Sequence, residues 1–425
     1  CREHTQTHAR QDCERKTAAL EQDWNATIEN AANDTARVKE TTDARSNRAA
    51  GLLDKHRARL LARLESEHQS RLAQLSDAAA ARQAALDQEH AAKRQAVIDR
   101  QRARQEQLDA DLQSVAGPVY AALESARQTA HDLFPAWTAR DWRTWEPPAE
   151  FLSGAPLGRL EIDVARLAAV PDPELLSKLP GPSRLEVPLL LTFPQQGSVW
   201  FETRELGRES AVAALNHLVL RLLTGSPPGR IAFTFLDPVS LGQNFAGLMH
   251  LADHADRLIN RRIWTQPDQI EQQLADLNEH IEKVTQLYLR NEYPTIAQYN
   301  QQAGRVAEPY QFLVIADFPS GFSELAARRL FSIVSSGPRC GLFTLVHWDR
   351  RKSVPPEFLG DDLRRAGVWL EARGNEFALS RTTLPGLSVK LDPAPEATLT
   401  TVLLQNIGRR SIDAYRVEQI GRAHV

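Results

Sequence analysis

The sequence predicts an α/β protein in two parts, a long N-terminal α-helical coiled coil followed by a domain on a mainly parallel sheet. Three observations carry this. All 24 prolines lie at or after Pro118, and Gly51 is the only glycine before Gly117. Leu53, Leu64, Leu75, Leu86, Val97 and Leu108 recur every eleven residues. From about residue 157 onward, short apolar runs alternate with helix-patterned stretches, as strands and crossover helices do.

Residues 1–117 form the expected coiled coil. Between about 14 and 116 the chain is rich in Ala, Gln, Glu, Arg and Leu, all good helix formers. A helix of that length buries too little alone and needs a partner. Leu20 and Ala31 extend the repeat backwards, and Leu64-x-x-Glu67-His68 returns as Leu86-x-x-Glu89-His90. An eleven-residue period gives about 3.67 residues per turn and a straight or slightly right-handed supercoil. Many seam positions are Ala, His or Gln, so association is expected to be modest or hairpin-like. His68 and His90 read as ordinary polar seam residues rather than metal ligands.

Gly117-Pro118 is expected to break this helix. Residues 118–156 then read as a short helix, Val119–Leu133, and a linker rich in Trp and Pro (Trp137, Trp142, Trp145, Pro147, Pro148). Such aromatic density can stack on nucleic-acid bases; docking of the coiled coil onto the next domain is the favoured reading.

Residues 157–390 form the expected α/β domain. Strands are predicted at Gly158–Val164, Leu185–Phe193, Ser198–Thr203, Ile231–Leu236, Gln311–Ala316, Gly341–His347 and Gly367–Glu371. Helices are predicted at Gly207–Leu223, Pro267 to about Arg290, and Phe322–Ser335. Ile231–Leu236 and Phe312–Ala316 are almost wholly apolar, as strands covered on both faces are. Residues 391–419 read as the start of a further segment. Residues 420–425 match one reading frame of a sequencing adaptor, and Cys1 precedes the only methionine, Met249, so both ends read as those of a fragment.

The formal net charge is -3, so no global excess of either sign points to nucleic acid. Cys1, Cys13 and Cys340 form no C-x-x-C pair and no metal-spaced cluster, which fits a reducing cytosol. The sequons at Asn25-Ala-Thr27 and Asn33-Asp-Thr35 read as chance. No apolar run reaches the roughly 18 residues that span a bilayer. The expected location is cytoplasmic, with membrane association only through a segment outside this sequence.

Ser198–Leu223 is laid out as strand, turn and helix, the plan of a phosphate-binding loop. A working loop reads G-x-x-x-x-G-K-[ST], with backbone N–H groups cradling phosphate and a lysine neutralising it. Here no lysine occurs between Lys178 and Lys283, and no Gly precedes a Lys anywhere. Glu209 is expected to oppose phosphate with its carboxylate, and Arg208 is the one residue placed to replace the lysine. The bland alternative for Ser210 is a helix cap, and for Asp317 a turn cap at Pro319. Two strand ends follow in order. Ile231–Leu236 runs into Asp237, and Phe312–Ala316 into Asp317, where an active enzyme holds Mg²⁺ and keeps a Glu next door; here that neighbour is Phe318. Arg261-Arg262, Arg328-Arg329 and Arg350-Arg351 read by default as ion-paired surface arginines.

Leu236-Asp-Pro-Val-Ser-Leu-Gly242, Val314-Ile-Ala-Asp317 and Ser336-Gly-Pro-Arg-Cys-Gly341, in that order, resemble the motor domain of FtsK/SpoIIIE-type DNA translocase ATPases and the related type VII secretion coupling ATPases. The resemblance covers about Leu185 to Asp349. It implies a P-loop-NTPase-like fold, ATP and Mg²⁺ as cofactors of the parent family, ring-type oligomers, and DNA as a partner through the parent protein. Carried over by position, Gly207, Arg208 and Ser210 stand at the phosphate-loop end and Asp317 at the Mg²⁺ end. Glu209 and Phe318 depart from the pattern, so no catalytic or metal-binding residue is expected. The implied role is a non-catalytic motor-like module serving ring assembly or regulation of an intact ATPase module. The alternatives are a coiled-coil scaffold that binds a protein partner and a secretion coupling ATPase.

Overall fold

The computed structural model describes residues 15–32 and 47–423, except 140, 170–172, 254–257, 305–306, 355–357, 359–360, 366, 375 and 381–383. Cys1, Cys13 and the Asn33 sequon lie outside these residues. The chain divides into two units, Cys1–Asp109 and Ala110–Val425.

The first unit is helical. Helix α1 covers residues 15–32 and helix α2 is Asn47–Leu133, which continues into the second unit. Between residues 56 and 108 its half-buried positions are Leu64, His68, Leu72, Ala79, Leu86 and His90, so the leucine phase is covered only at Leu64 and Leu86, and a second eleven-residue row, His68, Ala79 and His90, runs beside it. Trp24 stacks on His68 with ring centroids 4.3 Å apart. The seam histidine is thus a ring-packing residue. Leu75, Val97 and Leu108 keep the same period but are exposed by 40%, 54% and 52%, so that stripe lacks a cover among the described residues.

In the second unit, α2 does not break at Pro118, contrary to expectation; the proline sits inside the helix. A proline there removes one hydrogen bond and crowds the preceding turn, at about 3 kcal/mol. Tertiary anchors on both sides of it oppose that cost. Gln113 Nε2 donates to the Lys178 carbonyl at 2.8 Å and Tyr120 Oη to the Pro182 carbonyl at 3.1 Å.

Ten strands then build one sheet: β1 Gly154–Asp163, β2 Arg184–Thr192, β3 Val199–Thr203, β4 Ile231–Leu236, β5 Ile263–Trp264, β6 Tyr310–Phe318, β7 Leu342–Asp349, β8 Val368–Arg373, β9 Glu376–Leu379 and β10 Leu387–Leu391. Between them lie the short helices α3 Val164–Leu167 and α4 Pro173–Ser177, then α5 Arg208–Thr224, α6 Pro267–Lys283, α7 Ile296–Ala303, α8 Glu324–Ser336 and α9 Asp361–Arg365. Helix α10, Ala397–Ala423, closes the chain. The order across the sheet is β2-β1-β10-β9-β8-β3-β7-β6-β4-β5. From β8 to β5 every pairing is parallel, and from β8 to β2 every pairing is antiparallel.

The parallel half decides the fold. Strand β7 lies between β3, which leads into α5, and β6, whose penultimate residue is Asp317. That is the additional-strand arrangement of P-loop ATPases. The sheet is covered on both faces, as its apolar strands require. Val199, Phe201, Phe233, Phe312 and Leu345 join α5 in one core. Trp200, Leu313, Ile315, Val346 and Trp348 join α6 and α8 in the other.

Two boundary expectations change. Trp137, Trp142 and Trp145 are buried in the α5-side core, so the expected linker belongs to the α/β unit. Arg221 lies 3.9 Å over the Trp137 ring, and Trp137 Nε1 donates to His217 Nδ1 at 3.3 Å. Residues 391–419 are likewise not a new segment: Leu403, Leu404 and Ile407 of α10 are buried in that core. Sequence patterning missed β9, β10, α7 and the two-residue β5, all too short or too weakly periodic to stand out. Among the described residues no helix is long and apolar enough to cross a membrane.

Candidate functional site

Ligands of open parallel sheets bind beyond the carboxyl ends of the strands, and here the polar residues of the unit converge at that edge. All five residues of β3 are buried. The chain turns over Arg204–Leu206, and Gly207 caps α5 with φ +92°. A side chain is excluded there twice, by conformation and because its Cβ would stand 2.9 Å from that of Ala372. The turn spans fewer positions than the phosphate-loop motif and holds one glycine.

Arg208, the first residue of α5, lies against Asp317. Its Nε donates to Oδ1 at 2.7 Å and its Nη2 to Oδ2 at 2.6 Å, while Nη2 also donates to Ser240 Oγ at 2.9 Å. This is the bidentate fork-to-carboxylate geometry that arginine is shaped for. Asp317 reaches it through a bulge. Pairing of β6 with β7 shifts between Ile315 and Phe318, and within that shift Asp317 adopts φ +59°. Aspartate tolerates this conformation better than most residues, and a bulge re-aims the side chain it carries.

The Asp317 amide donates to His347 Nδ1 at 3.2 Å, and His347 Nε2 meets Thr203 Oγ1 at 2.8 Å. An amide can only donate, so Nδ1 is the acceptor of this bond. Burial alone would push the Asp317 carboxyl up; the bidentate hydrogen bonds and the positive charge of Arg208 act against it and hold the carboxyl below the usual range. The same ion pair raises the Arg208 pKa.

Asp237 is fully buried and accepts from Ser240 N, Asn244 N and Asn244 Nδ2 at 3.2, 3.1 and 3.0 Å. It forms the turn that presents Ser240 to Arg208. Phe318 is not only a missing base. It is fully buried, with the rings of Trp200, Phe322, Trp348 and Phe358 at 5.1 to 5.9 Å.

Of the predicted positions, Gly207, Arg208 and Asp317 come together; Ser210 does not. Ser210 and Glu209 are exposed, and Gly207 rather than Ser210 is the helix cap. Asp317 caps no turn with its side chain; its backbone carbonyl accepts from Ser320. Thr203, Ser240 and His347 complete the cluster and were not singled out in the sequence, because only the sheet order brings them near Asp317. The arginine pairs behave mostly as ion pairs: Arg328 with Glu324, Arg329 with Glu271, Arg350 with Glu202 and Arg351 with Asp349. Cys340 is buried, and burial pushes its thiol up.

The residues present do not fit Mg²⁺ and a triphosphate at this position. The carboxylate a metal would use already has both oxygens on Arg208, the cation a phosphate would use is on Asp317, and the turn ahead of α5 is short. Among the described residues no group of three His, Cys, Asp or Glu could hold a metal ion.

No family model matches the chain, and no curated protein matches it. Several solved structures are similar. EssC (ATPases 2 and 3) from Geobacillus thermodenitrificans matches at 15% identity and TM-score 0.42, over 65% of this chain and 51% of that one. Thermomonospora curvata EccC (ATPases 2 and 3), in complex with a signal sequence peptide, matches at 14% and 0.43, over 63% and 50%. The pCW3 conjugation coupling protein TcpA, a monomer form with ATPγS, matches at 12% and 0.39, over 52% and 67%. The chain spans about half the length of the first two. All three TM-scores lie below 0.5, and the fold assignment rests on the strand order.

Proposed function

We propose that the α/β unit is a non-catalytic, motor-like module of an FtsK/SpoIIIE-type ATPase, acting in the cytoplasm in ring assembly or in regulation of an intact ATPase module. The observation that carries this reading is the Arg208–Asp317 pair. In a working site the two positions bind opposite ends of one ligand, phosphate and Mg²⁺. Here they bind each other, so the charges that a nucleotide complex would neutralise are neutralised internally. Exposed Leu206, Val239 and Leu241 flank the closed site and offer apolar contact to a neighbouring module. The uncovered Leu75, Val97 and Leu108 stripe favours self-association through α2.

An ATPase assay on the whole chain, with and without Asp317→Ala, tests the reading. The expected result is no hydrolysis above background in either protein; hydrolysis that Asp317→Ala abolishes would overturn it. Sedimentation separates the scaffold alternative, since ring-type oligomers support the motor module and dimers formed only through the coiled coil support a scaffold.

A further inference from the structure

A second charged site lies on the other side of β3, and its charges do not balance. Strands β3 and β8 run parallel, with Glu202 beside Glu371. Residues two apart share a face, so the two strands present the same pattern there, Glu202-x-Arg204 and Glu371-x-Arg373. The sheet face below is closed by Trp200 and Trp369, stacked at 4.7 Å. Arg350 from the end of β7 and Arg364 from α9 complete a cavity of about 260 Å³.

Among the described residues four guanidiniums therefore line this cavity with two carboxylates, a surplus of two positive charges. Glu202, only 5% exposed, is already taken: Arg364 Nη2 stands 2.6 Å from it and Arg350 Nη1 3.4 Å. Arg364 is 15% exposed, and its buried Nε has no hydrogen-bond partner among the described residues. Arg204 and Arg373 form no ion pair among those residues and stand at the open rim. A buried guanidinium donor without an acceptor is costly, and several planar forks around one cavity match the oxygens of phosphate.

We infer that this cavity is an oxyanion site for a phosphate group, either free or on a larger ligand. Arg364 and Arg350 are held at its base by Glu202, and Arg204 and Arg373 close on the ligand from the rim. The site is separate from the Arg208–Asp317 pair and does not depend on it.

The test is calorimetric titration of the whole chain with inorganic phosphate, pyrophosphate and ATP, each at constant ionic strength set with NaCl. Saturable binding of at least one probe is expected. It should weaken at least tenfold in an Arg204→Ala/Arg373→Ala double variant, and stay unchanged in Arg208→Ala. Both rim arginines are exposed, so the double variant should fold, and a cooperative melting curve with a midpoint no lower than the parent's checks that. ATP binding tighter than phosphate would mark a phosphate ester as the ligand; equal binding would mark the free anion. The inference fails if no probe saturates, if the double variant binds like the parent, or if Arg208→Ala is the change that removes binding.

Discussion

The two sides of β3 use the same chemistry to opposite ends. Toward β7 and β6, one arginine meets one carboxylate in a closed fork, with Ser240, His347 and Thr203 taking up the remaining polar atoms. Toward β8, four arginines and two glutamates line one cavity, only Arg364 and Arg350 pair, both with Glu202, and a buried donor is left over. The first arrangement is complete without a ligand; the second is not. Charge residues alone do not mark a binding site, since both regions are rich in them. What distinguishes the two is whether donors and acceptors balance, and three changes test that distinction.

The largest effect is expected at the base of the open side. Glu202→Ala removes the shared acceptor of Arg364 and Arg350, leaving two largely buried guanidiniums without their paired carboxylate. Breaking a buried pair from one side typically costs about 3–5 kcal/mol. Relief of repulsion between Glu202 and its neighbour Glu371 offsets part of this, so the lower end is expected in urea denaturation. A loss under about 1 kcal/mol would mean that Glu202 does not anchor the arginines, and the picture of a built cavity would fall.

A smaller effect is expected on the closed side. Asp317→Asn keeps the shape and one acceptor but discards the charge, and Arg208, 36% exposed at its side chain, can turn to water. About 1–2 kcal/mol at neutral pH is the expected loss, the scale of one charged hydrogen bond. The pH dependence is more telling. The folded carboxyl titrates below its unfolded value of about 3.9, so the unfolded chain binds the extra proton first as pH falls. The contribution of Asp317 is therefore full above about pH 4 and disappears as pH falls through the folded pKa. Urea midpoints of the parent and Asp317→Asn should converge on acidification below pH 4. A gap that stays constant down to pH 2 would remove the ion pair as its origin.

Much of the fold could be read from residues. Strands Ile231–Leu236 and Leu342–Asp349 and helix α5 fall within a residue or two of expectation, because apolar runs and Gly207 mark their ends. Pro118 misled, because intrinsic preference gave way to the anchors at Gln113 and Tyr120. The tryptophans at 137, 142 and 145 look like a linker in sequence only because their partners, His217 and Arg221, lie 80 or so residues away. Arg208 and Asp317 were each identified, yet their pairing was not: it follows from the bulge in β6, and no local pattern encodes a bulge. The arginine cavity was invisible for a related reason. Its repeated Glu-x-Arg pattern acquires meaning only once β3 and β8 are neighbours in register.

The smallest expected effect on stability is also the sharpest test of the comparison. Arg204 and Arg373 are exposed and pair with nothing among the described residues, so removing both should change stability by no more than about 0.5 kcal/mol, as for ordinary surface positions. Their removal even relieves mutual repulsion at the rim, so a slight gain in thermal stability is the favoured sign without ligand. In saturating phosphate the order should reverse, because the parent gains stability by mass action and the double variant gains far less. Melting curves of both proteins, with and without phosphate at matched ionic strength, read both signs at once. If the double variant is less stable than the parent even without phosphate, the two arginines are part of the folded framework, and the open side is as closed as the other.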